Sequence, residues 1–143
     1  MLLEITQLVH VIGIALGVGG ATIHFLLSLK AEKDPEIRPA MMKISVMISK
    51  LIIVAVVLLI ASGLGLKYQV RWPIDPTMLA IKHTVVGLLV INGAYLNLAV
   101  FRRLQKAHEL TEGELAKLQK RGKIAGLISL ILWYSILVLS VFL

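Results

Sequence analysis

Four long apolar stretches dominate this chain and constrain its fold more than any other feature. They cover about Leu3 to Leu29, Ile48 to Leu66, Met78 to Phe101 and Ile124 to Leu143. A helix needs about 20 mainly apolar residues to cross the hydrocarbon core of a bilayer, and each stretch is of about that length. Basic residues stand close to the ends of all four. The sequence therefore predicts an all-α integral membrane protein that forms a single domain over residues 1–143.

The composition agrees with a membrane location and excludes most soluble classes. Hydrophobic residues make up 58% of the 143 residues and charged residues 16%, whereas a soluble domain is about 45–50% apolar and about 25% charged. The chain contains no cysteine, which excludes disulfides, iron–sulfur clusters and thiolate-ligated metals. Any metal site must therefore use histidine, methionine or oxygen ligands.

The distribution of the fifteen basic residues predicts the orientation of the four helices. Twelve of them lie in or beside the first and third connections, and three lie in or beside the second. By the positive-inside rule, the first and third loops face the cytoplasm and both termini face outward. Short connections favour an up-down-up-down antiparallel four-helix bundle, multi-pass in the inner or cell membrane. The net charge of +7 then reflects contact with anionic lipid headgroups rather than with nucleic acid.

Local signals refine the ends of the helices. Residues 1–7 carry no basic side chain, so no cleaved signal peptide is expected. The segment Trp72–Pro76 predicts a rigid outer turn, with Trp72 in the headgroup zone. Thr111 and Glu114 have the spacing of a capping box, which predicts that the fourth helix begins well before the fourth apolar stretch.

Three histidines lie inside the apolar stretches, where ionisable side chains are costly and usually functional. His10 and His24 are in the first stretch, and His83 is near the outer end of the third. The fourth histidine, His108, lies among charged residues of the third loop, and it is expected to be an ordinary exposed residue.

The first helix carries a stripe of small residues between its two histidines. His10 and His24 are fourteen residues apart, which is about 21 Å along a helix, and they share one face at about 3.5 residues per turn. Gly13, Gly17 and Gly20 lie between them on that face. These glycines either let another helix approach closely, with Gly13 and Gly17 as a GxxxG pair, or leave room for a flat cofactor that the histidines ligate.

The third helix has a matching stripe, which runs from His83 past Gly87 to Asn97. Helices one and three are parallel in the predicted bundle, so His10 and His83 share one depth near the outer side. His24 and Asn97 then share a depth on the inner side. Two imidazoles that meet across a crevice of small residues are what the iron of a b-type haem requires.

The pattern therefore predicts one haem b near the outer face, with His10 and His83 as its metal ligands. Covalent attachment is excluded because the chain has no CxxCH motif. The role of His24 stays open between ligation of a second haem, a proton relay and a structural hydrogen bond, and copper stays an alternative to haem iron. Lys82 is expected either to pair with haem propionates or to be a plain boundary lysine.

Four short motifs carry a resemblance to a known group of proteins: Leu8–Gly13, Gly17–Gly20, Ile81–His83 and Ile91–Gly93. They resemble the first and third helices of small four-span membrane proteins related to the copper-resistance CopD and protoporphyrinogen oxidase HemJ groups. The resemblance covers the whole chain in length and number of spans. It implies a haem b bundle in which His10 is a ligand and Lys82 with His83 forms the entrance motif of the third helix.

These observations predict a small membrane b-type cytochrome that transfers electrons. Two axial imidazoles block substrate binding at the iron, so the expected partners are electron carriers, namely quinol in the bilayer and a redox partner outside the membrane. Whether the protein is an enzyme, such as a membrane haem oxidoreductase, is left open by the sequence.

Two other functions fit the same residues. In one, His24, Asn92 and Asn97 line a cofactor-free path for protons or metal ions. In the other, the protein is an accessory or structural subunit whose glycine face forms a homodimer or docks onto a larger complex.

Overall fold

Four long helices make up most of the chain. The computed structural model describes residues 1–71 and 73–142, and its helices are α1 (Leu2–Lys33), α2 (Arg38–Gln69), α3 (Pro76–Leu104) and α4 (Glu112–Val141). Each helix is long and apolar enough to cross a membrane, and every regular element in the described residues is helical. The predicted all-α fold, with four helices long and apolar enough to cross a membrane, is confirmed for the described residues. Trp72, predicted to lie in the headgroup zone, and Leu143, the predicted end of the fourth stretch, are outside the described residues.

Capping side chains fix where two of the helices begin. The Glu114 backbone N–H donates to Thr111 Oγ1 at 3.3 Å, and the Thr111 N–H donates to Glu114 Oε2 at 3.2 Å. This capping box confirms that α4 begins well before its apolar stretch. At the start of α3, Asp75 Oδ1 accepts a hydrogen bond of 2.8 Å from the Thr77 N–H, and Pro76 occupies the first helical position, where its missing N–H costs nothing.

Helices α1 and α2 pack against each other along much of their length. Four contacts mark their interface from one end to the other: Thr6 with Gln69, His10 with Ser62, Gly13 with Leu59 and Gly20 with Ile52. The residue numbers rise along α1 and fall along α2, so the two helices run antiparallel. At Gly13 the backbones approach so closely that an added Cβ would lie 3.2 Å from the Leu59 backbone nitrogen.

Helix α4 packs against both α1 and α3. It contacts α1 through Gly17 with Trp133, Thr22 with Tyr134 and Glu32 with Lys123. It contacts α3 through Asn92 with Ala125 and Val100 with Gly122. Trp133 is fully buried between these helices. Because α2 packs chiefly on α1 and α3 packs chiefly on α4, the described residues of α2 and α3 make few contacts with each other.

Candidate binding site around His24

A cavity of about 380 Å³ is lined by residues of α1, α2 and α3 and by Gly126 and Ser129 of α4. Its wall is apolar except for four side chains: His24, Ser49, Asn97 and Ser129. We call it the inner cavity. Ligand pockets in proteins usually have this character, with largely apolar walls and a few polar groups that fix the orientation of the ligand.

Among the polar residues of this wall, His24 is the one with a fully buried nitrogen atom that has no hydrogen-bond partner in the described part of the chain. Its side chain is buried, with 7% of the residue exposed. Within the described residues its Nε2 atom makes no hydrogen bond. The imidazole lies 5.2 Å from the Phe101 ring, centroid to centroid, and is tilted by 60°. A buried nitrogen without a partner costs about 1–3 kcal/mol, so a bound molecule that satisfies it would recover that free energy.

The two other polar residues at the level of His24 are engaged with each other. Ser49 Oγ donates to Asn97 Oδ1 at 2.6 Å, and Asn97 Nδ2 donates to the Gly93 carbonyl oxygen at 2.8 Å. The first bond joins α2 to α3 across the inner cavity. Since both polar atoms of Asn97 have protein partners, its role in this structure is to hold the walls together.

A π-helical segment within α3, Leu96–Phe101, shapes the wall opposite His24. It places Asn97 and Phe101 on the inner cavity, while Val100 is fully buried against α4. An added Cβ at Gly122 of α4 would lie 3.1 Å from Val100 Cγ1. Segments of π-helix occur frequently at functional sites, and this one lies beside the unpartnered histidine.

A second cavity of about 580 Å³ adjoins the first at the end of the molecule where α1 ends and α2 begins. We call it the terminal cavity. Both cavities have His24 and Phe101 in their walls. Basic side chains stand around the terminal cavity, namely Arg38, Lys120 and Lys123. His24 therefore lies between an apolar cavity bordered by α2 and α3 and a basic cavity at the end of the molecule.

The other histidine of α1, His10, has a different environment. His10 Nδ1 is 2.8 Å from Ser62 Oγ of α2, and its ring lies against Gly63, where an added Cβ would be 3.6 Å from His10 Cε1. Lys82 of α3 is half-buried. His83 is exposed and has no hydrogen bond to any described residue.

Three predicted glycines of α1 make room for protein side chains and backbone. Gly13 faces the α2 backbone, and an added Cβ at Gly20 would lie 2.9 Å from Ile52 Cγ1. An added Cβ at Gly17 would lie 2.1 Å from the Trp133 ring. Of the two uses that the sequence left open, close packing is the one seen at these positions. At Gly87 of α3, by contrast, an added Cβ meets no atom within 4 Å.

The structure thus brings together the inner members of the two predicted stripes. His24 and Asn97 line the same cavity, whereas His10 bonds to α2 and His83 is exposed. His108 is exposed, as predicted. Sequence reasoning missed Ser49, Ser62 and the π-helical segment. The two serines were visible as polar residues inside an apolar stretch, but no residue pattern marked the π-helix.

The placement of His, Asp and Glu side chains limits the kinds of metal site that the described residues could form. Within residues 1–71 and 73–142, no three His, Asp or Glu side chains are placed to hold a metal ion together. Haem iron needs only one or two protein ligands because the macrocycle supplies the others. A single buried imidazole is therefore compatible with haem, whereas a bare ion would lack ligands.

Comparison of the chain with models of known protein families, with curated proteins and with solved structures gives no match. The resemblance to the CopD and HemJ groups therefore stays a prediction.

Proposed function

We propose that the protein is a small multi-pass membrane b-type cytochrome that transfers electrons, with haem bound between α1 and α3 and His24 as an iron ligand. One observation carries this proposal. The Nε2 atom of His24 is buried, has no hydrogen-bond partner among the described residues, and lies between two adjoining cavities. Neutral imidazole nitrogen is the commonest protein ligand of b-type haem iron.

The walls around His24 suit a flat, largely apolar cofactor. The inner cavity is lined almost entirely by aliphatic side chains and by the edge of Phe101. The terminal cavity beside it adds basic groups, which haem needs for its carboxylates. Pockets that hold organic ligands usually measure about 300–1,000 Å³, and both cavities fall in that range.

Haem bound here would supply a one-electron iron couple within the membrane. The chain would contribute the Nε2 ligand, apolar walls, and the bond from Ser49 to Asn97 that joins α2 to α3. Apolar surroundings lower the local dielectric constant, which strengthens the influence of nearby charges on the iron.

His10 is the second ligand that we propose, for a haem near the opposite end of α1. Ser62 holds its Nδ1 atom at 2.8 Å, and this leaves Nε2 for a ligand. Ligating histidines usually have their other ring nitrogen held in this way. His83 is the partner that the sequence predicts, with Lys82 beside it as a candidate for propionate contact.

The orientation in the membrane completes the proposal. We propose that the protein lies in the inner or cell membrane as an up-down-up-down bundle. Both termini are then outside, and the first and third loops are in the cytoplasm. The antiparallel contacts of α1 with α2, of α1 with α4 and of α3 with α4 support the order of the helices. The basic residues beside the first and third loops support the sidedness, which puts the terminal cavity on the cytoplasmic side. Quinol and a redox protein are the proposed partners.

An absorption spectrum of the purified protein tests the proposal. The chain is expressed with added haem precursor, purified in detergent, and assayed for haem per polypeptide. We expect a Soret band and the α band of haem b, and we expect His24→Ala to lose the haem that His24 binds. His108→Ala is the matched control, because His108 is exposed and its removal should leave the spectrum unchanged. Colourless wild-type protein, or an unchanged haem content in His24→Ala, would overturn the proposal.

The same experiment separates this function from the transporter alternative. That alternative needs a continuous polar path through His24, Asn92 and Asn97. Asn92 instead donates to the Ala125 carbonyl oxygen at 2.8 Å and lines neither cavity. A folded, colourless protein would favour the transporter or a structural role.

A further inference from the structure

The terminal cavity combines an apolar floor with a basic rim. Its floor includes His24, Phe101 and Leu104, and its rim includes Arg38 and Lys120. A molecule that fills this space meets a buried imidazole nitrogen at one end and positive charge at the other. The natural occupant is therefore an amphipathic molecule with a ligand for imidazole on its apolar part and anionic groups on its edge.

The basic side chains of the rim differ in the hydrogen bonds and ion pairs that they already make within the protein. Lys123 Nζ is 2.9 Å from Glu32 Oε2, so this charge is already paired. Arg38 is half-buried, and its Nε donates to the Ala31 carbonyl oxygen at 3.1 Å. No acceptor among the described residues bonds to its two terminal nitrogens, and no described carboxylate pairs with Lys120.

The hydrogen bond to Ala31 also fixes the distance of Arg38 from His24. Ala31 comes seven residues after His24 on the same helix, which is a rise of about 10 Å. Arg38 therefore presents its terminal N–H groups about two helical turns beyond the buried imidazole. A planar guanidinium in a fixed position is well suited to bind a carboxylate through two parallel hydrogen bonds.

We infer that, in the haem protein proposed above, the propionate edge of the haem bound by His24 lies in the terminal cavity, where Arg38 and Lys120 pair with its two carboxylates. This inference rests on the proposed function. It directs the carboxylates of this haem toward the end of the bundle at the first loop, away from Lys82. Arg38 carries the larger share because it is half-buried and held in place, whereas Lys120 is exposed.

Titration of the haem-free protein with haem b and with haem b dimethyl ester tests this orientation. The ester has the same iron and macrocycle but no carboxylate charge. The binding constants are measured from the Soret band in a neutral detergent without anionic lipid. We expect wild-type protein to prefer haem b over the ester by about tenfold or more, the strength of one charge-assisted hydrogen-bonded pair.

Variants of the rim identify the residues responsible. Arg38→Gln should remove most of the preference, Arg38→Lys should restore part of it, and Lys120→Gln should lower it by about two- to fivefold, as expected for an exposed pair. Lys43→Gln on α2 and Lys117→Gln on α4 are the matched controls. Both lysines are exposed and lie outside the terminal cavity, so both controls should keep the wild-type preference.

Two results would overturn the inference, and both differ from failure of the proposed function. Equal binding of haem b and its ester by the wild type would show that no carboxylate is recognised. An unchanged preference in the Arg38→Gln, Lys120→Gln double variant would place the carboxylates elsewhere while leaving haem binding intact. If Arg38→Gln does not fold, as judged by gel filtration and circular dichroism, Lys120→Gln alone gives the decision. Loss of the haem spectrum in the wild type itself would instead reject the proposed function.

Discussion

Two histidines on α1, His10 and His24, differ in their hydrogen bonding. His10 is partnered, since Ser62 of α2 lies 2.8 Å from its Nδ1. His24 is more deeply buried, yet its Nε2 has no hydrogen-bond partner in the described part of the chain. The two residues share one helix and one face, so local sequence cannot account for the difference. It arises because α2 lies close to α1 at His10, whereas cavities adjoin His24.

The comparison shows how tight packing and ligand space can coexist on one helix. Between the histidines, Gly17 is filled by the Trp133 ring, which leaves no gap for a flat cofactor there. The packed face is enclosed within the chain, so a homodimer would have to form through another surface. On the other side of Trp133 along α1, space for a ligand adjoins His24.

The largest expected effect concerns this packed middle of α1. Gly17→Ala would place a Cβ 2.1 Å from the buried Trp133 ring, and such overpacking should lower the free energy of unfolding by about 3 kcal/mol. Gly19→Ala is the matched control, because nothing lies within 4 Å of an added Cβ there. It should be neutral or stabilising by up to about 1 kcal/mol. Thermal or denaturant unfolding in detergent measures both, and equal effects of the two variants would contradict the packing described.

A smaller effect, with opposite signs at the two ends, is expected for replacement of each histidine by leucine. In haem-free protein, His24→Leu should raise the free energy of unfolding by about 1–3 kcal/mol, since it removes a buried nitrogen without a partner. His10→Leu should lower it by about 0.6–1.7 kcal/mol, the range for hydrogen bonds between membrane helices. The same unfolding assay measures both variants. A destabilised His24→Leu variant would mean that its imidazole has a partner after all.

The smallest expected effect concerns the bond across the inner cavity. A double-mutant cycle of Ser49→Ala and Asn97→Ala should give a coupling of about 0.6 kcal/mol, and at most about 1.7 kcal/mol. Their hydrogen bond of 2.6 Å directly links side chains of α2 and α3. Additive single effects in the unfolding assay would show that this bond does not hold the two walls together.

Much of the fold could be predicted because its causes are local. Apolar length predicts the four helices, and the spacing of Thr111 and Glu114 predicts the start of α4, which their reciprocal hydrogen bonds confirm. The inward face of α1 was also predictable, since Gly13 and Gly17, which lie on it, are buried. Each of these inferences uses only helical geometry and the cost of exposing polar groups in lipid.

The site was less predictable because it depends on which helices become neighbours. The sequence placed the stripes of α1 and α3 opposite each other, and His24 and Asn97 at their inner ends do line one cavity, but most of α1 packs along α2 and against α4. The side chain that fills the space at Gly17 comes from Trp133, more than a hundred residues further along the chain. The partner of His10 comes from Ser62 on a different helix. Such pairings follow from the shapes of whole helix faces, which periodicity alone does not reveal.

The unpartnered nitrogen of His24 also bears on the lifetime of the chain in the cell. A ligand that binds only the folded state stabilises it, by about 2.7 kcal/mol when its concentration is one hundred times its dissociation constant. If haem binds as proposed, chains that lack it would unfold more often and would be exposed more often to membrane proteases. The amount of this protein would then follow the supply of whatever occupies the space beside His24, without any need for a separate sensor.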